Sequence, residues 1–530
     1  MRVLVRLTFL SICVLACPEG VGGQAPVEGS PGVSFDRLVT SDQEPANWLS
    51  YSGTLSGWRH TQLTQITPSN VKNLELAWTW TSAAGAGRIV PEATALAVGG
   101  VLYTVRPPND VVALDAATGR ERWTFSHAPA DYRPAPAYRT NRGLAILGRT
   151  LFMGTLDARL LAINVETGTL VWNAAVADSA DLSCQNRQCY SITHAPLVVK
   201  DKVIVGTSGG DGGARGFVAA FDAASGKQVW RFHTIPAPGE RGHETWADDS
   251  WKTGGAAVWN TGSYDAELNL TYWGTGNPGM GNQPGTDLLY SNSVVALDAD
   301  TGSLKWHYQF TPRDSMDWDS TQVPVLADID WRARPRKVML FANRNGVFYV
   351  LDRVTGEFLS GTPFVQINWL AGFDDKGKPL RTPRTPDVPV KPGAGEMAAA
   401  SWYPPSYSPR TGLFYVPVWE NSADPRYGAL LALDPRTGNK SWEFRREGSW
   451  FSSGALTTAS GLVFTGTRVV ARPPTAEGTF YALDAATGQP LWQVPLPGAT
   501  QSGAMSYALD GKQFVTITAG STLLAFALRP

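Results

Sequence analysis

Three carboxylates stand within six residues near the middle of the chain, at Asp314, Asp317 and Asp319. In an extended segment alternate side chains point to the same side, so Asp317 and Asp319 would share one side. Adjacent carboxylates repel each other unless a cation lies between them, and hard cations prefer oxygen ligands. The spacing therefore predicts either a cation site or a solvated acidic loop, and by itself it leaves both open.

Two glycine-rich segments each carry one oxygen-bearing side chain. Asp211 lies within Gly206–Gly213, and Asn277 lies within Gly274–Gly279. The first segment lacks the lysine and the following helix of a phosphate-binding P-loop, which argues against that motif. Each segment fits either an ordinary turn between strands or a backbone that approaches a flat ligand closely. Two arginines in Asn-Arg pairs, Arg142 and Arg344, are candidate anion contacts, and surface turn residues are the alternative.

The elements that must position these side chains follow from one phrase, Ala-Leu-Asp-x-x-Thr-Gly-x-x-x-Trp. Its seven versions are Ala113–Trp123, Ala162–Trp172, Ala220–Trp230, Ala296–Trp306, Val350–Ser360, Ala432–Trp442 and Ala482–Trp492. The second version has Asn164 in place of the aspartate, and the fifth has lost the tryptophan. A basic period of about 50 residues with variable insertions indicates a repeat architecture whose extra residues lie in loops.

The phrase itself predicts local structure. The apolar residues before each aspartate fit a buried strand, and Asp-x-x-Thr-Gly fits a tight turn. The next strand ends on tryptophan, which can wedge between neighbouring sheets with its N–H bonded. Because one sheet cannot bury both faces, we expect an all-β, eight-bladed β-propeller with four-stranded antiparallel blades. The eighth copy is the degenerate segment Asn70–Trp78, and seven blades would follow if that segment only closes another blade.

The start of the chain predicts export. Basic Met1–Arg6 precedes an apolar run from Leu7 to Ala16, which is typical of a secretory signal and too short for a membrane span. We therefore expect a signal peptide at residues 1–25, a linker at 26–44 and a single propeller domain at 45–530. Cleavage near residues 22–25 and a lipoprotein site at Cys17 both fit, so a lipid anchor stays open.

Bulk composition narrows the functional classes. The chain has 45 basic and 46 acidic residues, so nothing suggests a nucleic-acid partner. Cys184 and Cys189 are expected to form a local disulfide in an oxidising compartment. The sequence has no Cys-x-x-Cys-His motif for covalent haem, and its six histidines lack zinc spacing.

Many segments together resemble the pyrroloquinoline quinone (PQQ)-dependent alcohol dehydrogenases, the eight-bladed periplasmic quinoproteins. The resemblance runs nearly end to end. The segments that carry it are Trp48–Gly53, Ser56–His60, Asn70–Leu74, Thr155–Leu160, Arg215–Val218, Asp249–Gly255 and Thr411–Pro417.

The resemblance implies a role for each candidate side chain. The cofactor would be PQQ, a flat ortho-quinone with three carboxylates, stacked on Trp259. Further cofactor contacts would come from Glu92, Arg142, Thr193, Ser208, Gly209, Gly210, Arg344 and Trp402. One metal ion would be held by Asp211, Asn277, Asp317 and Asp319 together with the quinone. Asp317 would be the general base, and Arg344 would bond the reactive quinone oxygens.

The implied reaction is oxidation of a small alcohol to an aldehyde or ketone by hydride transfer to the quinone. Because the sequence shows no haem motif, we expect electrons to pass to a separate cytochrome c. The family is periplasmic, which agrees with the signal sequence.

Several positions depart from the family pattern. Asp211 replaces the usual glutamate, Ala257 a threonine and Ser401 an asparagine, and Pro136-Ala137 stands where many members have two adjacent cysteines. These changes weaken or shrink cofactor contacts. Asp319, in contrast, resembles the lanthanide-using members, and a further carboxylate favours a trivalent cation over a divalent one. We therefore expect a lanthanide rather than calcium.

Two other functions remain open from sequence. A non-catalytic propeller scaffold, such as the lipoproteins of outer-membrane barrel assembly, would share the repeats without needing the polar residues. A quinoprotein dehydrogenase acting on a sugar or polyol would keep the chemistry and change the substrate.

Overall fold

The repeated phrase forms the turn between the third and fourth strands of a blade. In the computed structural model, Asp115 Oδ1 accepts hydrogen bonds from the backbone N–H groups of Ala117 and Thr118, both at 3.1 Å, and from the Thr118 hydroxyl at 2.9 Å. The same set of bonds recurs at Asp298, Asp352 and Asp484. The predicted turn is confirmed.

The model describes residues 32–82, 91–128, 140–177, 190–279, 284–383, 388–394, 398–469 and 478–529. The predicted signal peptide, Cys17, Cys184, Cys189 and Pro136-Ala137 lie outside these residues. In the part of the chain that is described, no helix is long and apolar enough to cross a membrane.

Eight sheets, each with four antiparallel strands at its core, make up the ring. We number them as blades in the chain order of their innermost strands. Blade 1 contains Leu96–Val98, Val101–Arg106, Asp110–Asp115 and Glu121–Phe125. Blade 2 contains Ala145–Leu147, Thr150–Gly154, Arg159–Asn164 and Leu170–Ala175. Blade 3 contains Leu197–Val199, Lys202–Gly206, Phe217–Asp222 and Gln228–His233. Blade 4 contains Ser263–Asp265, Leu270–Gly274, Ser293–Asp298 and Leu304–Gln309.

The second half of the ring follows the same order. Blade 5 contains Val325–Trp331, Arg334–Ala342, Val347–Asp352 and Phe358–Pro363. Blade 6 contains Ser406–Ser408, Leu413–Glu420, Tyr427–Leu433 and Lys440–Glu447. Blade 7 contains Leu456–Thr458, Leu462–Val469, Gly478–Asp484 and Pro490–Leu496, with His60–Thr61 and Ser449–Phe451 added. A separate hairpin pairs Leu370–Phe373 with Pro379–Arg381.

Blade 8 joins the two ends of the propeller. Its strands Met505–Leu509, Lys512–Ala519 and Thr522–Leu528 come from the C-terminal end, and its outermost strand is Leu74–Thr81. The eight-blade prediction is confirmed. The degenerate segment at residues 70–78 does close a blade made by other strands, but that blade is an additional one without its own copy of the phrase.

Six outer-strand tryptophans pack on the glycine of the next blade's turn. Trp172 Nε1 donates to the Ala223 carbonyl at 3.1 Å, and a Cβ atom added at Gly226 would lie 2.7 Å from Trp172 Cε3. The equivalent pairs are Trp78 with Gly119, Trp123 with Gly168, Trp230 with Gly302, Trp306 with Gly356, and Trp442 with Gly488. In blade 5, which lost the tryptophan, Thr362 lies over Gly438 instead. The predicted wedge between sheets is therefore the contact that joins neighbouring blades.

The N-terminal segment packs on the ring earlier than the expected boundary at residue 45. The compact unit begins at Gly32, and within it lie the helix Phe35–Val39 and the 3₁₀ turn Ser41–Gln43. Val33 forms a backbone bridge with Gly148, and both Val33 and Leu38 are buried. These apolar contacts give residues 32–44 a packed structure, which the assignment to a linker did not foresee.

A stretch that we call the axial strap, residues 46–61, lies along the innermost strands. It accepts backbone hydrogen bonds from Tyr264 of blade 4, Leu326 of blade 5, Tyr407 of blade 6 and Thr457 of blade 7, at 2.9–3.1 Å. Trp48 bridges Ala97 of blade 1. The strap thus ties together the inner strands of many blades. The remaining short elements are the 3₁₀ turns Val71–Asn73, Gly210–Gly212, His243–Thr245 and Asp248–Thr253.

Candidate active site

One face of the ring collects the polar residues that the sequence singled out. Neighbouring strands of a blade are antiparallel, so the segment before the first strand and the segment after the second strand emerge at the same end. Thr193, Asp317 and Trp402 precede first strands, whereas Asn277 and Arg344 follow second strands. The propeller therefore brings residues from distant parts of the sequence to one place.

A single cavity of about 290 Å³ contains every predicted site residue. Its lining is Glu92, Thr140, Arg142, Thr193, Ser208, Gly209, Gly210, Asp211, Ala257, Trp259, Asn277, Asp317, Asp319, Arg344 and Trp402. Sequence reasoning missed Thr140 as a lining residue. Its position two residues before Arg142 was the available signal.

The carboxylate end of the cavity is a hydrogen-bonded cluster. Asp319 Oδ1 accepts from the Asn277 backbone N–H at 2.9 Å, and Asp319 Oδ2 accepts from Arg344 Nη1 at 3.2 Å. Asn277 Nδ2 donates to Asp211 Oδ1 at 3.3 Å. A Cβ atom at Gly276 would lie 2.5 Å from Asp319 Oδ1, so glycine is what lets this carboxylate reach the backbone.

Burial and neighbouring carboxylates raise the pKa of two acidic groups at this end of the cavity. Burial raises the pKa of Asp317, and the neighbouring carboxylates of Asp319 and Asp211 raise it further against the opposing charge of Arg344. Burial likewise raises the pKa of Asp319, with Arg344 opposing and Asp211 adding to the rise. A bound cation would stabilise the ionised forms of both groups.

The side chains at this end would supply only part of the coordination shell of a metal ion. Among the described residues, no three acidic, histidine or cysteine side chains are already arranged to hold a metal. The donors present are carboxylate and amide oxygens, which hard cations prefer. Such a set needs further oxygen ligands from a bound molecule, as the resemblance implies for the quinone.

Asp317 has a strained backbone. Its φ of +57° lies in the left-handed region, which non-glycine residues seldom occupy. Its carbonyl accepts a hydrogen bond from Arg344 Nη1 at 3.1 Å. Strain of this kind persists where the surroundings fix it, and it clusters at functional sites.

A second part of the cavity is built from aromatic rings and a buried guanidinium. The Arg142 guanidinium carbon lies 4.9 Å from the Trp259 ring centre and 4.5 Å from that of Trp402. Arg142 also pairs with Glu92 at 2.9 Å and donates to Thr193 Oγ1 at 3.1 Å. This part can receive a flat, anionic molecule against the Trp259 ring.

Three polar atoms at the cavity support such a ligand. The Nε atoms of Arg142 and Arg344 and the Thr140 hydroxyl are buried, and none has a hydrogen-bond partner in the described part of the chain. Buried polar groups are normally hydrogen-bonded, so partners from a bound molecule would satisfy them. The residues present therefore fit a planar polycarboxylate such as PQQ.

The departures from the family pattern fall at different places. Asp211 and Ala257 line the cavity, and a Cβ at Gly210 would lie 3.1 Å from the Ala257 Cβ, so this wall is closely packed. Ser401 is buried beside Trp402 but does not line the cavity, and its hydroxyl has no partner among the described residues.

Comparison with known proteins gives a consistent relationship. The sequence model of one protein family, the PQQ-dependent glucose/ethanol/alcohol dehydrogenase β-propeller domain, matches residues 48–367 and 445–515. The quinohemoprotein alcohol dehydrogenase ADH IIB of Pseudomonas putida is 36% identical, over 92% of this chain and 75% of its own length. The lanthanide-dependent methanol dehydrogenase of Methylacidiphilum fumariolicum is 32% identical, over 92% of this chain and 86% of its own length.

Solved structures agree with the sequence relatives. A europium-containing methanol dehydrogenase superposes with a TM-score of 0.83 at 30% identity, covering 93% of this chain and 100% of that one. BamB from Moraxella catarrhalis, at 13% identity and a TM-score of 0.50, covers 86% of this chain and 99% of its own, and shares the fold alone.

Proposed function

Because the chain belongs to the PQQ-dependent glucose/ethanol/alcohol dehydrogenase family, we propose that it binds PQQ and one metal ion in this cavity and oxidises a small alcohol to an aldehyde or ketone. The main support for this proposal is that residues distant in the sequence meet at one site. Side chains from six blades and from segments more than 300 residues apart line one cavity. A structural propeller has no need of that arrangement.

The protein's contribution to cofactor binding is orientation. Trp259 offers a flat face, and the guanidinium carbons of Arg142 and Arg344 lie 4.9 and 5.9 Å from its ring centre. Thr193, whose hydroxyl lies 2.7 Å from that of Ser208, and the backbone of Gly209 and Gly210 supply polar contacts along the edge. When bound, the quinone accepts hydride while the metal ion polarises its carbonyl.

Asp317 is the proposed general base. A base must be ionised and within hydrogen-bond reach of the proton that it accepts. Asp317 lines the cavity and is half-buried, so an alcohol entering the cavity can contact its carboxylate. A cation held beside it by Asp319 and Asn277 would keep the carboxylate ionised against the effect of burial.

We propose a lanthanide as the preferred metal over calcium. The support is charge: Asp211, Asp317 and Asp319 bring three carboxylates to one end of the cavity against the single guanidinium of Arg344. A trivalent cation gains more than a divalent one from that excess. The lanthanide-dependent relative and the europium-containing structure belong to the same group of similar proteins.

A separate cytochrome c is the proposed electron acceptor, and the periplasm is the proposed location. One relative is a 1-butanol dehydrogenase (cytochrome c) from Thauera butanivorans. The basic and apolar start of the sequence supports export, with Cys17 as a lipid-anchor alternative.

Reconstitution tests the proposal. The purified protein is titrated with PQQ in the presence of calcium or lanthanum, with tryptophan fluorescence as the binding signal. Oxidation of primary alcohols, secondary alcohols and glucose is then followed with an artificial dye. We expect quenching as PQQ stacks on Trp259, and dye reduction by simple alcohols that is faster with lanthanum. Glucose as the best substrate would favour the polyol alternative, and no quinone binding with either metal would favour a scaffold.

The variant Asp317→Asn separates base catalysis from binding. Removing a general base typically costs about 10²- to 10⁴-fold in rate. We expect a loss of that size in kcat, with PQQ affinity within about threefold of wild type because Trp259 and Arg142 are untouched. Full turnover by Asp317→Asn would remove this residue as the base.

A further inference from the structure

Asp314 is a buried carboxylate that takes no part in the proposed cofactor binding, metal binding or base catalysis. It is 3% exposed and does not line the cavity, although it begins the segment that carries Asp317 and Asp319. Its Oδ1 accepts from the Met316 backbone N–H at 2.8 Å, and its Oδ2 accepts from the Trp318 backbone N–H at 2.7 Å. The Asn292 side chain donates to the same Oδ2 at 3.2 Å.

These bonds enclose Asp317 from both sides. Asp314 accepts from the backbone N–H of the residue before Asp317 and of the residue after it, so Asp317 lies between two residues whose amides are held. The Asp317 carbonyl is held separately by Arg344. A left-handed conformation at a residue other than glycine persists only where its surroundings over-determine it. The two backbone hydrogen bonds that Asp314 accepts are the local contacts that hold Asp317 in this conformation.

The far side of the segment is anchored as well. The Trp318 carbonyl accepts from Asn292 Nδ2 at 2.9 Å, and Trp318 Nε1 donates to the Gly393 carbonyl at 2.8 Å. Trp318 is fully buried, so it holds in place the backbone that leads into Asp319. Asn292 thereby joins Asp314 and Trp318 into one unit that sits behind the cavity wall.

The chemistry of these contacts requires a carboxylate. Three N–H groups converge on Asp314, and an ionised carboxylate offers acceptors on both oxygens. An asparagine would keep the volume but would present its NH₂ group to one of the backbone donors. A glutamate would keep the charge but would move it by one methylene, away from the two amides that Asp314 spans.

We infer that Asp314 is a positioning residue that sets the backbone of Asp317 and so aims its carboxylate into the cavity. The inference rests on the proposed function, in which Asp317 is the base. Catalysis depends steeply on such aim, since a misplacement of about 1 Å can cost about 10²-fold in rate.

Asp314→Asn is the test, with Asp265→Asn as its matched control. Asp265 is also a buried aspartate, its Oδ1 accepts the backbone N–H groups of Glu267 and Leu268 at 2.9 and 3.0 Å, and its Oδ2 pairs with Arg353. It lies at the end of its strand away from the cavity. We expect Asp314→Asn to lower kcat by about 10- to 100-fold while KM for the alcohol and PQQ affinity change less than threefold. Asp265→Asn should leave kcat unchanged.

Two further readouts distinguish positioning from general damage. Hydrogen exchange on the protein without cofactor should quicken in peptides covering residues 315–319 of Asp314→Asn and not elsewhere. In an Asp317→Asn background, the Asp314 substitution should cost little more, because it acts through a base already removed. If Asp314→Asn is not recovered folded, Asp314→Glu is measured in the same way, with the same expected loss in kcat.

Several results would overturn the inference. They are a kcat of Asp314→Asn within threefold of wild type, an equal loss in Asp265→Asn, unchanged exchange at residues 315–319, or an undiminished loss in the Asp317→Asn background. An inactive wild type would instead refute the proposed function, and the exchange result would then decide whether Asp314 holds the segment.

Discussion

Substituting the turn glycine Gly226 by alanine measures the contact that joins blades. Gly226 has a φ of +70°, and an added Cβ would lie 2.7 and 2.9 Å from ring atoms of Trp172. Gly412 has nearly the same backbone, with a φ of +68°, but nothing lies within 4 Å of its added Cβ. The pair therefore differs in the tryptophan contact and hardly in the backbone strain.

The expected magnitudes follow from that difference. A left-handed conformation costs a non-glycine residue roughly 1–2 kcal/mol, and both variants bear that cost. Both also share the gain from a less flexible unfolded chain, which cancels between them. Overpacking against a fixed ring adds about 1–3 kcal/mol for Gly226→Ala alone. We expect Gly226→Ala to lower the free energy of unfolding by about 1–3 kcal/mol more than Gly412→Ala.

Urea unfolding followed by tryptophan fluorescence measures both variants, with the slope m checked to be unchanged. Turnover per bound quinone should equal wild type in both, because neither glycine lies at the cavity. In a Trp172→Ala background, Gly226→Ala should cost no more than Gly412→Ala. Equal losses for the two glycine variants in the wild-type background would refute the clash as the reason for glycine.

Two other predictions concern pH and metal. Burial lowers the pKa of His60 and of His194 to about 4. Below pH 6.5 the unfolded chain therefore binds protons at these histidines that the native state does not bind. Their contribution to the free energy of unfolding should be complete above pH 6.5 and fall toward pH 4, by about 2 kcal/mol per histidine at pH 5. Urea unfolding of wild type and His60→Gln at pH 7 and pH 5 measures this, and an equal pH dependence of the two proteins would contradict it. Asp319→Asn, which removes one charge from the metal end, should weaken lanthanum binding more than calcium binding in titrations with PQQ present. An equal loss for both ions would argue against charge as the basis of the preference.

The sequence predicts the blades well because their determinants are local. The aspartate, threonine and glycine of each turn bond within a few residues, and the tryptophan that follows has one obvious neighbour. Blade 8 was beyond such reasoning, since its three C-terminal strands carry no copy of the phrase and its fourth strand comes from residues 74–81. The helix at Phe35–Val39 is missed for another reason, because five residues are too few to show a helical period, although Ser34 caps its start.

The candidate site divides in the same way. Residue types near glycine-rich turns, read together with a family resemblance, identified the side chains that line the cavity. Thr140 and Asp314 were not assigned roles, because their importance lies in where a loop turns and which backbone amides it presents. Hydrogen bonds such as that from Trp318 N–H to Asp314 depend on three-dimensional loop geometry, which spacing along the chain does not encode.

The pairing within blade 8 also governs the order in which the molecule can be built. Leu74–Thr81 is among the first strands to leave the ribosome, yet its partner Thr522–Leu528 is the last. Pairing across so many residues carries a large loop-closure cost, and contacts of this kind make folding slow. The ring must therefore stay open until Thr522–Leu528 has been synthesised, and it closes only after that. A chain truncated by even its final strand would leave the first and seventh blades without a complete neighbour between them.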